Sequence, residues 1–521
     1  MDYKEQIKEL LGNPDKLRAK KPFTRGSRRD TKPKLPNQNT CDVASTITAS
    51  LPKYCSYTIP QEQFMRELDP NCHDVNFDEN IPSICVKLQD GGYYEIKHQR
   101  TPVAFQKRIK NKKLLHLTGN KMQFTLVGKE PDETTIKNFA TFKQYWDERN
   151  QDGMKTKMVD AQMSYGDAGL LYYFDYKGRI KSRLLSFADG YVLCPHNDEN
   201  GDRILESVYY QSDGVEYIDS YDDEYMYRYT NDGKAIPLDE NGNTIGTYVD
   251  GWKWHEPIKH GFNENPLITK RGDVAWNDVQ DDISSYEILY NVFHTIQKRF
   301  GWGVFYVKGK FKDEGRKIAG SVVLNDTSID GKGDAKFLTP PNPQGMIETL
   351  ELMEENIQKD SSCTFILPKD IKMSGDITGI AIQLTQAMDI EEANRGVIKW
   401  QNVASKMVRL FAYGLAKELV NTDVNKNAIT EFANMKINAS FKVWRPVSNT
   451  EYNNMLIALV NGGLLSKQSG IELNTESKPD ESHRISIEEQ QALEIASNGE
   501  EVLEDTSSEP AQTDTSTIFN N

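Results

Sequence analysis

The sequence predicts an α+β protein made of more than one substructure, and three observations carry that prediction. At 521 residues the chain is too long for one small core. From 191 to 255, aromatic and β-branched runs alternate with turns such as NDG and DENGN, the pattern of a β meander. At about 277–301, 346–361 and 383–420, apolar residues recur at helical spacing instead.

Charged residues at 27% and hydrophobic ones at 37% place the chain among globular proteins rather than membrane proteins. No apolar run reaches the roughly 18–20 residues a bilayer requires, so no membrane partner is expected. The N-terminus lacks an apolar signal-peptide core, and a reducing cytoplasm with cysteines as thiols is the expected setting. Four cysteines (Cys41, Cys55, Cys72, Cys85) fall in one stretch with His73, but no CxxC pair brings them to zinc spacing. Small buried side chains are the expected reading, and no metal or cofactor is expected.

The net charge of −14 argues against a broad basic surface that grips nucleic acid. It remains compatible with a surface past which DNA slides. The first 36 residues are basic, from Lys16 to Lys34, and the last 40 or so are acidic, including Glu500, Glu501, Glu504 and Asp505. Both ends read as poorly ordered arms.

Within 101–127, Val103, Phe105, Ile109, Leu114 and Leu115 predict an amphipathic helix after Pro102. The Gly119-Asn120 turn ends it before a strand at 122–127. One helix is expected over 134–162, with Ile136, Phe139, Phe142, Tyr145 and Trp146 on one face. Strands Leu170–Phe174 and Ile180–Leu185 flank the DYKG turn. The acids of YDDEY at 221–225 alternate across a strand, so a solvated turn is expected rather than a metal site.

Asn277 is the expected cap of the first long helix, with Asp278, Asp281 and Asp282 suiting its dipole. Val279, Ile283, Tyr286, Tyr290, Phe293 and Ile296 form its packing seam, and Gly301 ends it. A compact insert follows at 302–338. Its Gly315–Ser321 stretch imitates a P-loop but has no Lys before Ser321, so no nucleotide site is expected. A second helix spans Met346–Ser361. Ile347, Leu350, Met353 and Ile357 share one face, and Glu348, Glu351 and Glu355 share another.

Next comes a Gly-punctuated loop, SGDITG, joined directly to the long helix at about 383–420. Gly375 and Gly379 keep the loop pliable, because Gly accepts backbone angles that other residues resist. Met388, Val397, Trp400, Val403, Met407, Leu410 and Phe411 are the expected buried face of the helix. A strand at Lys436–Trp444 and a short helix at 449–461 precede the tail.

Four passages, in this order, resemble the portal proteins of tailed bacteriophages (the head-to-tail connector family). They are KRIKNKKLLHLTGNKMQFTLVG, YGDAGLLYYFDYKGRI, NPLITKRGDVAWNDVQDDISSYEILYN, and ETLELMEENIQKDSS followed by SGDITGIAIQL. The similarity runs from about 100 to 445. It implies a portal-type fold: a mixed α/β wing, a helical stem, a small α/β clip, a long helix behind a tunnel loop, and a short helical crown.

The implied layout starts with a basic disordered arm at 1–40 and a wing at 41–276. Stem helix 1 follows at 277–301, the clip at 302–345 and stem helix 2 at 346–363. The tunnel loop is at 364–382, the long wing helix and returning strand at 383–445, the crown at 446–480, and an acidic disordered tail at 481–521.

The resemblance further implies a homo-oligomeric ring of twelve subunits at one capsid vertex, the channel through which double-stranded DNA is packaged and ejected. The ring would assemble in the host cytoplasm and reside in the virion. Terminase large subunit, then head-completion and tail adaptor proteins, would dock on it, with major capsid and scaffold proteins as further partners. Channel-lining residues would be Glu348, Glu351, Glu355, Lys369, Lys372, Ser374 and Asp376. Stem packing would fall to Val279, Ile283, Tyr290, Phe293, Ile347, Leu350 and Ile357. Docking at the clip would use Lys308, Lys310, Lys312, Asp313, Glu314 and Arg316. A circle of carboxylates repels phosphates over about 8 Å in physiological salt, which lets DNA slide.

An enzyme is not expected. The chain contains no HExxH, GxSxG, GxGxxG or complete P-loop, and its eight histidines are scattered. Another oligomeric head-tail adaptor or minor capsid component is the alternative. Two long helices bracketing a compact insert favour the portal.

Overall fold

The computed structural model describes residues 7–8, 11–12, 59–77, 84–87, 93–96, 99–127, 132–198, 200–232, 248–249, 252–300, 304–308, 311–318, 321–326, 334–338, 343–365, 384–445, 449–474, 485, 487 and 490. For the strands at 84–87, 93–96, 248–249 and 304–338 it describes backbone pairing only. Two compact units divide the chain: Met1–Leu367 with Gln386–Arg445, and Pro368–Thr385 with Pro446–Asn521.

The first unit begins with α1 (Gln61–Leu68), β1 (Ile84–Lys87), β2 (Tyr93–Ile96), α2 (Phe105–Thr118), β3 (Gln123–Leu126), α3 (Glu133–Glu148) and α4 (Gln151–Tyr165). Strands β4 (Asp167–Phe174), β5 (Ile180–Leu185), β6 (Val192–Asn197), β7 (Arg203–Ser212), β8 (Val215–Tyr221) and β9 (Tyr225–Asn231) follow. After them come β10 (Tyr248–Val249), β11 (Trp252–Trp254), β12 (Ile258–Lys259) and β13 (Leu267–Arg271). Helix α5 (Gln280–Phe300) leads to β14 (Val304–Lys308), β15 (Phe311–Ile318), β16 (Ser321–Asp326) and β17 (Asp334–Leu338). The unit closes with α6 (Gln344–Asp360), α7 (Ala387–Asn421), α8 (Ala428–Asn434) and β18 (Ile437–Ser440). The second unit holds α9 (Asn449–Asn461) and α10 (Lys467–Leu473), joined by the Tyr452 hydroxyl donating to the Leu473 carbonyl at 3.3 Å.

The fold is a mixture of helices and antiparallel sheets, as expected. The meander is present as a sheet in the order β10-β11-β9-β8-β7-β6, with β12 added on β9. A second sheet runs β13-β4-β5, and β18 pairs with β3. The Gly315–Ser321 stretch spans β15 and the first residue of β16, where Ile318 pairs with Ser321. Its described residues are therefore strand on both sides, without the strand-to-helix geometry of a phosphate loop. The described residues between 304 and 338 are all strand, which differs from the mixed α/β insert expected there. Runs such as Val304-Phe305-Tyr306-Val307 and Val322-Val323-Leu324 suit a pleated surface.

The main core lies along α7, where Trp400, Val403, Met407, Leu410 and Phe411 are buried as predicted. Phe142 and Trp146 of α3 meet Phe411 edge-on, with ring centroids 5.7 and 5.2 Å away. Gly414 lets α7 approach β5: a Cβ there would sit 2.2 Å from Ile180 Cδ1.

Several expectations are corrected. The helix predicted over 134–162 is two helices, broken where Asn150 takes a left-handed φ of 48° and caps α4 by accepting from the Gly153 amide. Ile136 is exposed rather than facing the core, because it lies near the free start of α3. Met388 is exposed too, since α7 meets the core from about its second turn onward. Asn277 is not the cap of α5. It begins a 3₁₀ turn, Asn277–Val279, and its amide donates to the Val274 carbonyl. The returning strand is four residues long, Ile437–Ser440. Helices α1 and α8 went unpredicted.

Cys72 is exposed, against the expectation of buried cysteines, while Cys194 and Cys363 are buried. The arm at 1–40 and the tail at 481–521 lie almost wholly outside the described residues. Its described part is helical: Ile7 is buried, and the Leu11 carbonyl accepts from the Tyr229 hydroxyl. No helix among the described residues is long and apolar enough to cross a membrane.

Candidate functional site

Helices α5 and α6 pack along the predicted seam. Val279, Ile283 and Ile357 are fully buried and Leu350 nearly so, in one cluster with Phe105 and Ile109 of α2 and with Trp276. Each such side chain contributes roughly 1.5–3 kcal/mol. Tyr290, Phe293 and Ile347 are half-buried at the edges of the seam. Tyr286 meets Phe105 edge-on at 5.1 Å and stacks on Tyr290 at 5.9 Å. The seam is thus filled within one protomer, by α2 as well as by the facing helix.

A second buried face of α5 is polar. Glu287, Asn291 and Thr295, spaced i, i+4, i+8, hold the extended segment 99–103 as a neighbouring strand would. Glu287 Oε1 accepts from the Val103 amide at 2.7 Å, Asn291 exchanges two bonds with Thr101 at 2.7 and 3.0 Å, and Thr295 Oγ1 accepts from the Gln99 amide at 2.9 Å. His73 closes the row: Nδ1 lies 2.7 Å from Glu287 Oε1, and Nε2 lies 2.8 Å from the Glu67 carbonyl. Burial alone would lower the His73 pKa. The hydrogen bond and charge of Glu287, with the Glu67 carbonyl, outweigh it and raise the pKa above the ordinary value. In the protonated ring both nitrogens donate, one to the carboxylate and one to the carbonyl. The i, i+4, i+8 spacing was readable in the sequence; the partners 184 to 214 residues away were not.

On α6, Glu348, Glu351 and Glu355 are exposed, opposite the buried Leu350 and Ile357. Glu348 accepts from Gln344 Nε2 at 3.1 Å, and Glu355 pairs with Lys359 at 3.1 Å. Surface contacts of this kind contribute under about 1 kcal/mol and leave the face acidic. Lys369, Lys372, Ser374 and Asp376 lie outside the described residues. Lys308 ends β14, and Lys312, Asp313, Glu314 and Arg316 lie on β15 across a register shift between Asp313 and Lys317. Lys310 lies outside the described residues.

The chain leaves α6 through a tight turn whose backbone N–H groups are all engaged. Ser362 takes a left-handed φ of 53°, the Cys363 amide returns to the Gln358 carbonyl at 3.0 Å, and the Phe365 amide donates to Gln358 Oε1 at 2.8 Å. Phe365 stacks on Phe105, and Cys363, buried, has its thiol pushed up to about 12 by desolvation. Between them the Thr364 amide donates to both carboxylate oxygens of Asp389, at 3.1 and 3.3 Å. Asp389 is buried in the first turn of α7. Burial raises its pKa, against the pull of Lys112, the Thr364 N–H and His116. No local pattern marks this contact, because Thr364 and Asp389 stand 25 residues apart.

The YDDEY segment is a turn, but Asp222 is buried rather than solvated. It accepts from the amides of Glu224 and Tyr225 and from the Tyr227 hydroxyl, at 2.8, 2.6 and 2.7 Å. Among the described residues no cluster of His, Cys, Asp and Glu could hold a metal ion.

The acidic outer face, the filled seam and the braced turn are structural features. Among solved structures the chain is similar to one titled "Neck of empty GTA particle computed with C6 symmetry", at 11% identity and TM-score 0.33, covering 70% of this chain and 88% of that one. No curated protein matches it. Residues 93–501 match the family described as "Phage portal protein, SPP1 Gp6-like". That match takes in α2 through α10 and extends past the resemblance seen at 100–445, so the chain belongs to the phage portal protein family.

Proposed function

We propose that this chain forms the ring at a capsid vertex through which double-stranded DNA is packaged and ejected. As a portal-family member it is a structural, non-catalytic component of the virion's head-to-tail connector. In this reading 41–276 is the wing and α5 and α6 are the stem. The 302–345 strands form the clip, 364–382 the tunnel loop, and 446–480 the crown. The clip would receive the terminase large subunit and later the adaptor proteins, through Lys308, Lys310, Lys312, Asp313, Glu314 and Arg316.

The observation that carries the proposal is the two-sidedness of α6. One face is locked into the protomer by Leu350 and Ile357, while the opposite face presents Glu348, Glu351 and Glu355 to the outside. Repeated around a ring, that outer face becomes a circle of carboxylates past which phosphates slide. Lys369, Lys372, Ser374 and Asp376 would lie beside the passing duplex. Negative-stain images and the mass of the assembled protein test the proposal. A closed ring of twelve with a central hole is the expected result, and monomers or open filaments would overturn it.

A further inference from the structure

We infer that the pocket between β4–β5 and the β6–β9 meander docks a partner protein's peptide that presents a carboxylate beside an aromatic or aliphatic side chain. None of its residues belongs to the α6 face or to the strands between 304 and 338.

The pocket follows from the two sheets. Alternate residues of a strand share a face, so Leu171 and Tyr173 of β4 stand with Arg183 and Leu185 of β5, and Leu171 pairs with Arg183. On the meander, Val208, Asp219 and Arg228 are register partners across β7, β8 and β9. Between these faces lies a cavity of about 300 Å³. Leu171, Leu185 and Val208 give it an apolar lining, while Tyr173, Tyr191, Tyr210 and Tyr221 give it an aromatic one. That volume is at the low end for a small-molecule pocket, roughly 300–1,000 Å³, and suits an anchoring side chain with its neighbour. Tyrosine and arginine are enriched among the residues that dominate binding between proteins.

The polar groups of the pocket divide into two kinds. Asp219 is already engaged: Arg228 donates to both of its oxygens at 2.7 and 2.8 Å, and the Tyr210 hydroxyl donates at 3.1 Å. Arg183 and Tyr221 keep capacity in hand. Arg183 lies over the Tyr191 ring at 4.9 Å and donates to its hydroxyl, but has no carboxylate partner among the described residues. Tyr221 is only 6% exposed, yet its hydroxyl has no hydrogen-bond partner among the described residues. Leaving a buried hydroxyl unpaired is costly, and an acceptor in the pocket removes that cost. Burial raises the Tyr221 pKa, and Arg228 and Arg183 pull the other way, so the Arg183 charge reaches this hydroxyl. A carboxylate satisfies both groups at once, accepting from Tyr221 and taking the arginine fork. A cationic ligand is disfavoured, because two guanidinium groups face the single carboxylate of Asp219. The apolar and tyrosine lining then selects an aromatic or aliphatic neighbour for the acid.

Selection from a displayed library of random short peptides, with the full-length protein as bait, tests the site. Enriched peptides should carry Asp or Glu next to Phe, Tyr or Leu. Arg183→Gln and Tyr221→Phe should each weaken their binding by about 10-fold or more, since each removes a hydrogen bond to a charged group. Both variants should melt with the wild type, because Arg183 is exposed and Phe keeps the ring that fills the wall. Enriched peptides without an acid, acidic peptides that bind both variants as well as wild type, or no enrichment at all would overturn the site. Binding of adenosine monophosphate in place of any acidic peptide, lost in the same variants, would overturn the peptide and make this a small-anion pocket. If Tyr221→Phe fails to fold, Arg183→Gln decides alone, by whether the acidic peptides are lost.

Discussion

Arg149 grips both carboxylate oxygens of Glu418, with Nη1 at 2.8 Å and Nη2 at 2.6 Å, where the break between α3 and α4 meets the long helix α7. The same Nη1 donates to the Ile180 carbonyl at 2.7 Å, and Glu418 Oε2 accepts from the Ile180 amide at 2.9 Å. Two side chains thus satisfy both backbone groups of the first residue of β5. Three elements depend on one ion pair.

Removing either partner leaves a largely buried charge without its counterpart. Glu418→Ala should cost about 3 kcal/mol and lower the melting temperature by roughly 5 °C. Thermal unfolding monitored by circular dichroism reads this directly. A shift under one degree would mean that solvent replaces the pair without loss.

The α5–α6 seam is filled inside the protomer, so its disruption should act on folding before it acts on assembly. Ile283→Ala, at a fully buried position, should cost about 3 kcal/mol and reduce the yield of assembled protein. Lys312→Ala on the clip strand should stay within about 0.5 kcal/mol of wild type. Equal stability and equal yield of the two variants would contradict the packing assigned to the seam.

Charge reversal tests the acidic face of α6. Glu351→Lys touches no buried side chain, so assembly should proceed at the wild-type yield. The new lysines would contact phosphates, and DNA movement should slow most at low salt, where such contacts bind hardest. Packaging at the normal rate at every ionic strength would place those glutamates away from the DNA.

The His73–Glu287 pair predicts a pH dependence with a definite sign. The folded-state pKa of His73 is raised, so its stabilising contribution is complete below the ordinary histidine value of 6.5. It is lost as pH rises through the higher folded value. Protection of the Val103 and Thr101 amides, which bond to the same row on α5, should therefore fall, beyond the intrinsic rise of exchange with pH, as pH passes through that raised value. His73→Gln should abolish that pH dependence. An unchanged pH profile in this variant would assign the effect to another group.

What the sequence determined by itself was whatever repeats at short range. The periods of α5, α6 and α7 and the runs of β4 through β9 follow from neighbouring residues, because apolar side chains mark the faces that must leave water. The acidic face of α6 was legible for the same reason. The break at Asn150 was not, because the apolar period of α3 and α4 runs on while the Arg149–Glu418 pair and a left-handed Asn divide it.

The tertiary structure decided where polar groups are buried. Glu287, Asn291, Asp222, Asp389 and Glu418 are all buried, and each is satisfied by backbone or side-chain donors from other elements or turns. Burying a polar group costs several kcal/mol unless a partner is supplied, and most of these partners lie 25 to more than 200 residues away. Local spacing reports apolar burial, because water acts on every residue separately. It is silent on paired polar burial, which exists only once distant segments have met.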